Sequence, residues 1–244
     1  MHLRNPFRRA GLILAGALAL LIPQIVNAQS ATLPLLPLAL HDLSAFRPAA
    51  DNWSIVGDVY ALPDDAELHT QAGTNILVNA GKNTYNEKQN LFTDWEHGDL
   101  DLELDYMLPK GSNSGIYLQG RYEVQLFDSW GVQHPKYSDA GGIYERWDDS
   151  RGSGNEGYEG IPPLMNVSRA PGLWNHLHIV FQAPRFDAQG HKVANAHFVK
   201  VELNGVVVQD NVEVTGPTRS AAFTDEMPMG PLMLQGDHGP VAFR

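Results

Sequence analysis

Asp99-Leu100-Asp101-Leu102-Glu103-Leu104-Asp105-Tyr106-Met107 alternates acidic with apolar side chains over nine positions. Successive side chains of a strand point to opposite faces, so this period of two predicts a half-buried β-strand. Leu100, Leu102, Leu104 and Tyr106 share one face, and Asp99, Asp101, Glu103 and Asp105 the other. Pro109-Lys110-Gly111-Ser112-Asn113 follows with turn chemistry.

The same grammar extends outward. Gly115 to Gln119 puts Ile116 and Leu118 on one face, and Arg121 to Leu126 puts Tyr122, Val124 and Leu126 there. Gly120 between them predicts a bulge or tight bend. Asn175 to Gln182 is a further strand, followed by a turn at Asp187-Ala188-Gln189-Gly190 and a strand from His197 to Leu203. Asn204-Gly205 is a favoured two-residue hairpin turn, from which Val206-Val207-Val208 returns. Leu232 to Gln235 is the last clear strand. The 244 residues include 23 Gly and 16 Pro, which supply turns rather than long helices. Short strands at this spacing predict a β-sandwich. The polar, glycine-rich run at 148–160 predicts a long loop able to cover a site.

Composition narrows the function. The chain has no cysteine, which removes disulfides, thiol nucleophiles and a lipid-anchor cysteine. A net charge of -11 offers no basic field for nucleic acid. Arg4, Arg8 and Arg9 precede an uncharged run from Ala10 to Ile22, and Val26-Asn27-Ala28 provides small residues before Gln29. This is the three-part secretory signal. The apolar run is short of the roughly 20 residues that span a bilayer. The expected organisation is a signal peptide at 1–28, a leader or edge segment at 29–50 and one domain at 51–244. A periplasmic or secreted address follows, without stable membrane insertion after cleavage.

The polar strand faces carry the candidate chemistry. Arg121, Glu123 and Gln125 form an outward array with both charges, suited to sugar hydroxyls or a carbonyl. An ordinary cross-strand ion-pair face has the same composition. Asp128 and Trp130 end that strand, where an indole can stack on a pyranose ring, or an Asp can cap a turn beside a core Trp. Glu103 and Asp105 could act as acids, although four acids on one face also describe a solvated surface. Gln235-Gly236-Asp237-His238-Gly239 sets a titrating His among glycines. His176 and His178 alternate on one strand face and could pair on a metal. HExxH, EF-hand, Walker and G-x-S-x-G patterns are absent.

Asn113-Ser114-Gly115-Ile116, Gly120-Arg121-Tyr122-Glu123-Val124-Gln125 and Asp128-Ser129-Trp130-Gly131 together resemble the signature of the 3-keto-disaccharide hydrolase domain family. Pro162 to Arg169, Gly172-Leu173-Trp174-Asn175, Ala183 to Asp187, Asn204 to Asn211, Gly216 to Arg219 and Asp237-His238-Gly239 continue the likeness in order. The resemblance implies an all-β fold, a two-sheet antiparallel jelly roll of concanavalin A-like or laminin G-like type. It also implies an oligosaccharide or 3-keto-sugar substrate. The glycosidic bond would be cleaved by elimination across C1 and C2, by hydration of the resulting 2-hydroxy-glucal, or by both. A C3 carbonyl acidifies the C2 proton, so the reaction needs a base at C2, a cation or donor at the C3 oxygen and an acid at the leaving oxygen. Glu123 or His238 is the expected base, and Arg121 the expected electrophile unless a divalent cation replaces it. Gln125, Asp128, Trp130, Tyr117, Glu103, Asn166 and Gln235 are the expected substrate contacts. The sequence departs from the pattern by the extra Gly236 and by ending at Phe243-Arg244, where relatives run on into a last strand; a sheet edge left unpaired or paired differently is the expectation. A non-catalytic carbohydrate-binding jelly roll is the alternative reading of the same faces.

Overall fold

The computed structural model describes residues 35–244, so the signal peptide expected at 1–28 lies outside the described residues. Two antiparallel sheets hold the core, with strands labelled here in chain order. The larger sheet runs β1 (Trp53–Tyr60), β2 (His69–Asn79), β15 (Val241–Phe243), β4 (Leu100–Met107), β9 (Asn175–Gln182), β12 (Ala196–Leu203) and β13 (Val206–Val214). The smaller sheet runs β3 (Leu91–His97), β14 (Gly230–Leu234), β5 (Asn113–Leu118) and β6 (Tyr122–Phe127). Two short ribbons pair β7 (Arg146–Trp147) with β8 (Gly157–Tyr158), and β10 (Arg185–Phe186) with β11 (Lys192–Ala194). The expected all-β sandwich is therefore found, with two 3-10 turns and no α-helix among the described residues. No helix of the described residues is long and apolar enough to cross a membrane.

The apolar periods meet where they should. Leu100, Leu102, Leu104 and Tyr106 face the interior with Leu177, Ile179 and Phe181 from β9 and Phe198, Val201 and Leu203 from β12. Ile116, Leu118, Tyr122, Val124, Leu126, Leu232 and Leu234 close the core from the smaller sheet. Gln119 and Gly120 take φ of 55° and 67°, which makes the expected tight bend between β5 and β6. Gln119 N donates to Nε2 of the buried His97 at 2.9 Å, and this ties the bend to β3. Asn204-Gly205 forms the two-residue turn between β12 and β13, with Leu203 paired to Val206. Part of the expected leader belongs to the domain. Phe46 is buried and bridges to Thr93, and Leu40, Leu43, Ala45 and Ala49 pack on the same core.

The edge is not left unpaired. Val241–Phe243 is itself the strand that joins the N-terminal pair to the rest of the sheet. It pairs with β2 through Val241–Asn79 and Phe243–Leu77, and with β4 through Phe243–Tyr106. All three of its residues are buried, and the Phe243 ring stacks on Trp53 with centroids 6.4 Å apart.

The extra Gly236 is also accounted for. A side-chain carbon there would lie 2.2 Å from the Gln89 carbonyl oxygen and 2.9 Å from the Trp53 ring. Gly236 N donates to Asn90 Oδ1 at 2.8 Å, and its carbonyl accepts from Asn79 Nδ2 at 2.9 Å. The glycine lets the 235–239 segment pass between β1 and the 3-10 turn at Glu87–Gln89.

Phe243→Ala leaves a cavity between the two sheet halves and is expected to cost about 3–5 kcal/mol. Calorimetry should report a Tm about 10 °C or more lower. Gly236→Ala is expected to cost about 1–3 kcal/mol through overpacking, read from the same melting curves.

Candidate active site

In the smaller sheet β14, β5 and β6 are buried on both faces, and the outer face of β5 and β6 is polar. β5 and β6 pair with Tyr117 opposite Glu123 and Gly115 opposite Gln125. Those side chains point away from the apolar core. Met233 pairs with Tyr117, and the period of two brings Gln235 to the same outer face. Gln235 N is held by the Gly115 carbonyl at 2.9 Å.

Glu123 occupies the centre of this face at 2% exposure. Its carboxyl lies over Gly115, where a side-chain carbon would stand 2.1 Å from Oε1. The glycine is what makes room for the carboxyl. Burial pushes the Glu123 carboxyl up to about 8; the Tyr117 hydroxyl opposes this and the charge of Asp237 adds to it. A carboxyl so placed is largely protonated at neutral pH and can donate a proton. Burial together with Glu123 holds the Tyr117 hydroxyl well above its ordinary range.

Asp237 and His238 form the opposite rim. His238 Nδ1 lies 2.7 Å from Asp237 Oδ1, and Asp237 is 3% exposed. With the Nδ1 proton given to the carboxylate, the neutral ring carries its lone pair at Nε2. Nε2 has no partner among the described residues. Tyr85 meets the imidazole edge-on at 4.8 Å. The pair is fixed by its backbone, because the Asp237 carbonyl accepts from Thr84 N and Tyr85 N at 2.9 and 3.1 Å.

Between these groups lies a cavity of about 340 Å³. Tyr144, Arg219 and Ser220 wall it on one side, and Asn113, Asn90 and Glu87 on another. Arg219 brings a cation: its guanidinium lies 3.7 Å over the Trp147 ring and donates to Glu145 at 3.2 Å. The amide oxygens of Asn113, Gln125 and Gln235 are buried and have no hydrogen-bond partner. Native interiors rarely leave such groups unmatched, and the three together give the cavity a set of acceptors open to hydrogen-bond donors. Among the described residues no cluster of three or more His, Asp or Glu side chains is arranged to hold a metal ion.

Five of the residues singled out from sequence converge here: Glu123, His238, Gln125, Tyr117 and Gln235. Five do not line the cavity. Arg121 falls in the bend rather than in β6, and its side chain is committed elsewhere. Nε donates to the Asp225 carbonyl at 2.6 Å, Nη2 to Asp225 Oδ1 at 2.8 Å and Nη1 to the Gln119 carbonyl at 2.9 Å, with the Phe223 ring beneath. Asp128 is a turn cap, accepting from Gly111 N at 2.9 Å, and Trp130 is 62% exposed beside it. Asn166 braces the 129–132 turn through Ser129 O and Val132 O. Glu103 is exposed on β4, on the outer face of the larger sheet. His176 and His178 share that face; they pair with Asp105 and with Asp101 and Glu202. The 148–160 loop does not line the cavity, because β8 and a 3-10 turn fold it back on β7. Arg219, Tyr144, Asn113 and Asp237 were not among the expected contacts. Asn113, Arg219 and Asp237 do stand inside the motif runs that carry the family resemblance, which was the available signal.

The sequence profile of the 3-keto-alpha-glucoside-1,2-lyase-like domain matches residues 41–244. Curated proteins give no match. Among solved structures, a candidate glycosyl hydrolase from Parabacteroides distasonis ATCC 8503 superposes with a TM-score of 0.51 at 23% identity, covering 86% of this chain and 90% of that one. A second candidate glycosyl hydrolase of the same organism gives 0.51 at 20% identity, covering 85% and 95%. Both likenesses are of fold. Since the profile spans nearly all of the described chain, the protein belongs to the 3-keto-alpha-glucoside-1,2-lyase-like domain family.

Proposed function

We propose that the protein cleaves 3-keto-glycosides in the cavity over Glu123, by elimination across C1 and C2. The observation that carries the reading is the pairing of a carboxyl kept protonated by burial with an aspartate-oriented imidazole in one cavity. A protonated carboxyl can serve as acid while an imidazole with a free ring nitrogen serves as base. His238 Nε2 takes the C2 proton, with Asp237 supporting the charge that develops on the ring. The C3 carbonyl receives the electron pair as an enolate, and Arg219 is the nearby cation for that oxygen. The enolate then collapses, the C1–O bond breaks, and Glu123 gives its proton to the departing oxygen. The products are the free aglycone alcohol and a 2-hydroxy-glucal carrying the C3 ketone. Addition of water across C1 and C2 would yield the 3-keto sugar. The unmatched amides of Asn113, Gln125 and Gln235 would bind the sugar hydroxyls. Export of residues 29–244 by the signal at 1–28 is part of the proposal.

Incubation of the purified protein with a 3-keto-glucoside, with and without a chelator, should release the aglycone and a 2-hydroxy-glucal or 3-keto sugar. Binding without turnover would favour the carbohydrate-binding alternative. Glu123→Gln is nearly isosteric and should cut kcat by about 10²- to 10⁴-fold while the fold survives. Wild-type turnover in that variant would remove Glu123 from the mechanism. Activity should fall as pH rises through about 8, where the buried carboxyl loses its proton.

The same carboxyl makes a stability prediction. Its folded pKa is raised, so the native state holds a proton that the unfolded chain releases above about 4.5. Its contribution is therefore full below that value and is lost as pH climbs to about 8. Relative to wild type, Glu123→Gln should gain roughly 3 kcal/mol of stability between pH 4.5 and 7, measured by denaturant unfolding at each pH. A pH-independent difference would contradict the buried, protonated state.

A further inference from the structure

A second cavity of about 270 Å³ opens beside the first, and Tyr144 lines both. The two share their walls in sequence as well. Residues 144–146 and 214–220 run along the pair, with Tyr144 and Arg219 at the first cavity and Arg146, Val214 and Thr218 at the second. Thr218 Oγ1 accepts from Glu123 N at 3.2 Å, so a wall residue of the second cavity is bonded to the backbone of the residue that carries the proposed acid.

Its lining differs in kind. Ile161, Val214, the Tyr144 ring and the carbons of Thr215 and Thr218 give an apolar floor. The polar groups gather at one end, where they largely satisfy each other. Arg146 Nη1 donates to Thr215 Oγ1 and to Glu159 Oε2, and Thr215 Oγ1 donates to Glu159 at 2.6 Å. One donor is left over: Arg146 Nε is buried without a partner. The guanidinium cannot swing away to satisfy it, being packed against Gly216 and over the Tyr158 ring at 5.1 Å.

We infer that this cavity is the subsite for the leaving group, and that it selects an aromatic aglycone bearing a hydrogen-bond acceptor over a second hexose. The inference rests on the reaction proposed above. A hexose presents hydroxyls on every edge and would meet a mostly apolar floor, with Arg146 Nε the spare donor and the Glu213 carboxylate the acceptor at an exposed position. An aromatic ring fits the floor, and its acceptor meets Arg146 Nε. Space suffices, since a cavity of about 150 Å³ already holds benzene.

The test compares 3-keto 4-nitrophenyl glucoside, whose nitro group supplies the acceptor, with 3-keto methyl glucoside, whose methyl leaves the second cavity empty. Wild type should prefer the nitrophenyl substrate in kcat/KM. Arg146→Met removes the donor and keeps the packing. Glu213→Trp fills the cavity from an exposed position of β13. In either variant the nitrophenyl-to-methyl ratio should fall about tenfold, chiefly through KM. A ratio unchanged in both variants overturns the inference. If wild type turns over neither glycoside, the elimination reading fails, and calorimetry with 4-nitrophenyl glucoside decides the cavity alone. Binding to wild type that Glu213→Trp weakens supports the subsite; equal binding, or none, overturns it.

Discussion

Asn79 is wholly buried at the end of β2 and spends its side chain on four bonds. Its Nδ2 donates to the carbonyls of Gly236 and Gly239 at 2.9 and 2.8 Å, while its Oδ1 accepts from Asn52 Nδ2 and Gly81 N. A buried amide left unmatched costs about 1–3 kcal/mol, so these partners fix one another in place. The segment carrying Asp237 and His238 is thereby tied to β2, and β15 follows directly in register against the same strand. Ser112 Oγ and Ser114 Oγ secure the other side of that segment through Pro240 O and Gln235 O. The imidazole is thus positioned by backbone anchoring rather than by packing of its own ring.

The two sheets treat polarity in opposite ways. The larger sheet turns its acids to water and pairs them there: Asp99 with Arg185, Asp101 with His178, Asp105 with His176 and Arg244. Such exposed pairs contribute little each, about 0–1 kcal/mol, and serve solubility more than stability. The smaller sheet instead buries a carboxyl and several amides under loops. Burying a carboxyl without a cation beside it raises its proton affinity, so the cost to the fold is also the source of its chemistry.

Much of this was legible in the chain. The alternation at 99–107, 115–126 and 175–182 gave both the strands and the side each residue faces. That is why Tyr117, Glu123 and Gln125 were found together. Glu103 follows the alternation but lies on the outer face of the other sheet, which no period in sequence distinguishes. The remaining failures share one cause. Alternation holds only inside a strand, and Arg121 sits in the bend, one residue before β6 begins at Tyr122. Its side chain serves the 219–229 segment instead. Asn166, Asp128 and Trp130 belong to turns, where residue type alone does not separate a cap from a ligand contact. Tyr144 and Arg219 reach the cavity from irregular segments, and no period in sequence announces where such segments cross. Nor could the sequence reveal β15, since three residues are too few to alternate visibly.

The pairing of Asn79 with Val241 joins positions 162 apart. Closing a loop of that length carries an entropic cost before any contact offsets it, so long-range sheets of this kind fold slowly. Until that closure, β1 and β2 have no neighbour linking them to β4, and the segment bearing Asp237 and His238 has no anchor in Asn79. The groups around the cavity are therefore brought together by pairings between the two ends of the domain. Partly folded forms would carry Glu123 on its hairpin with nothing opposite it.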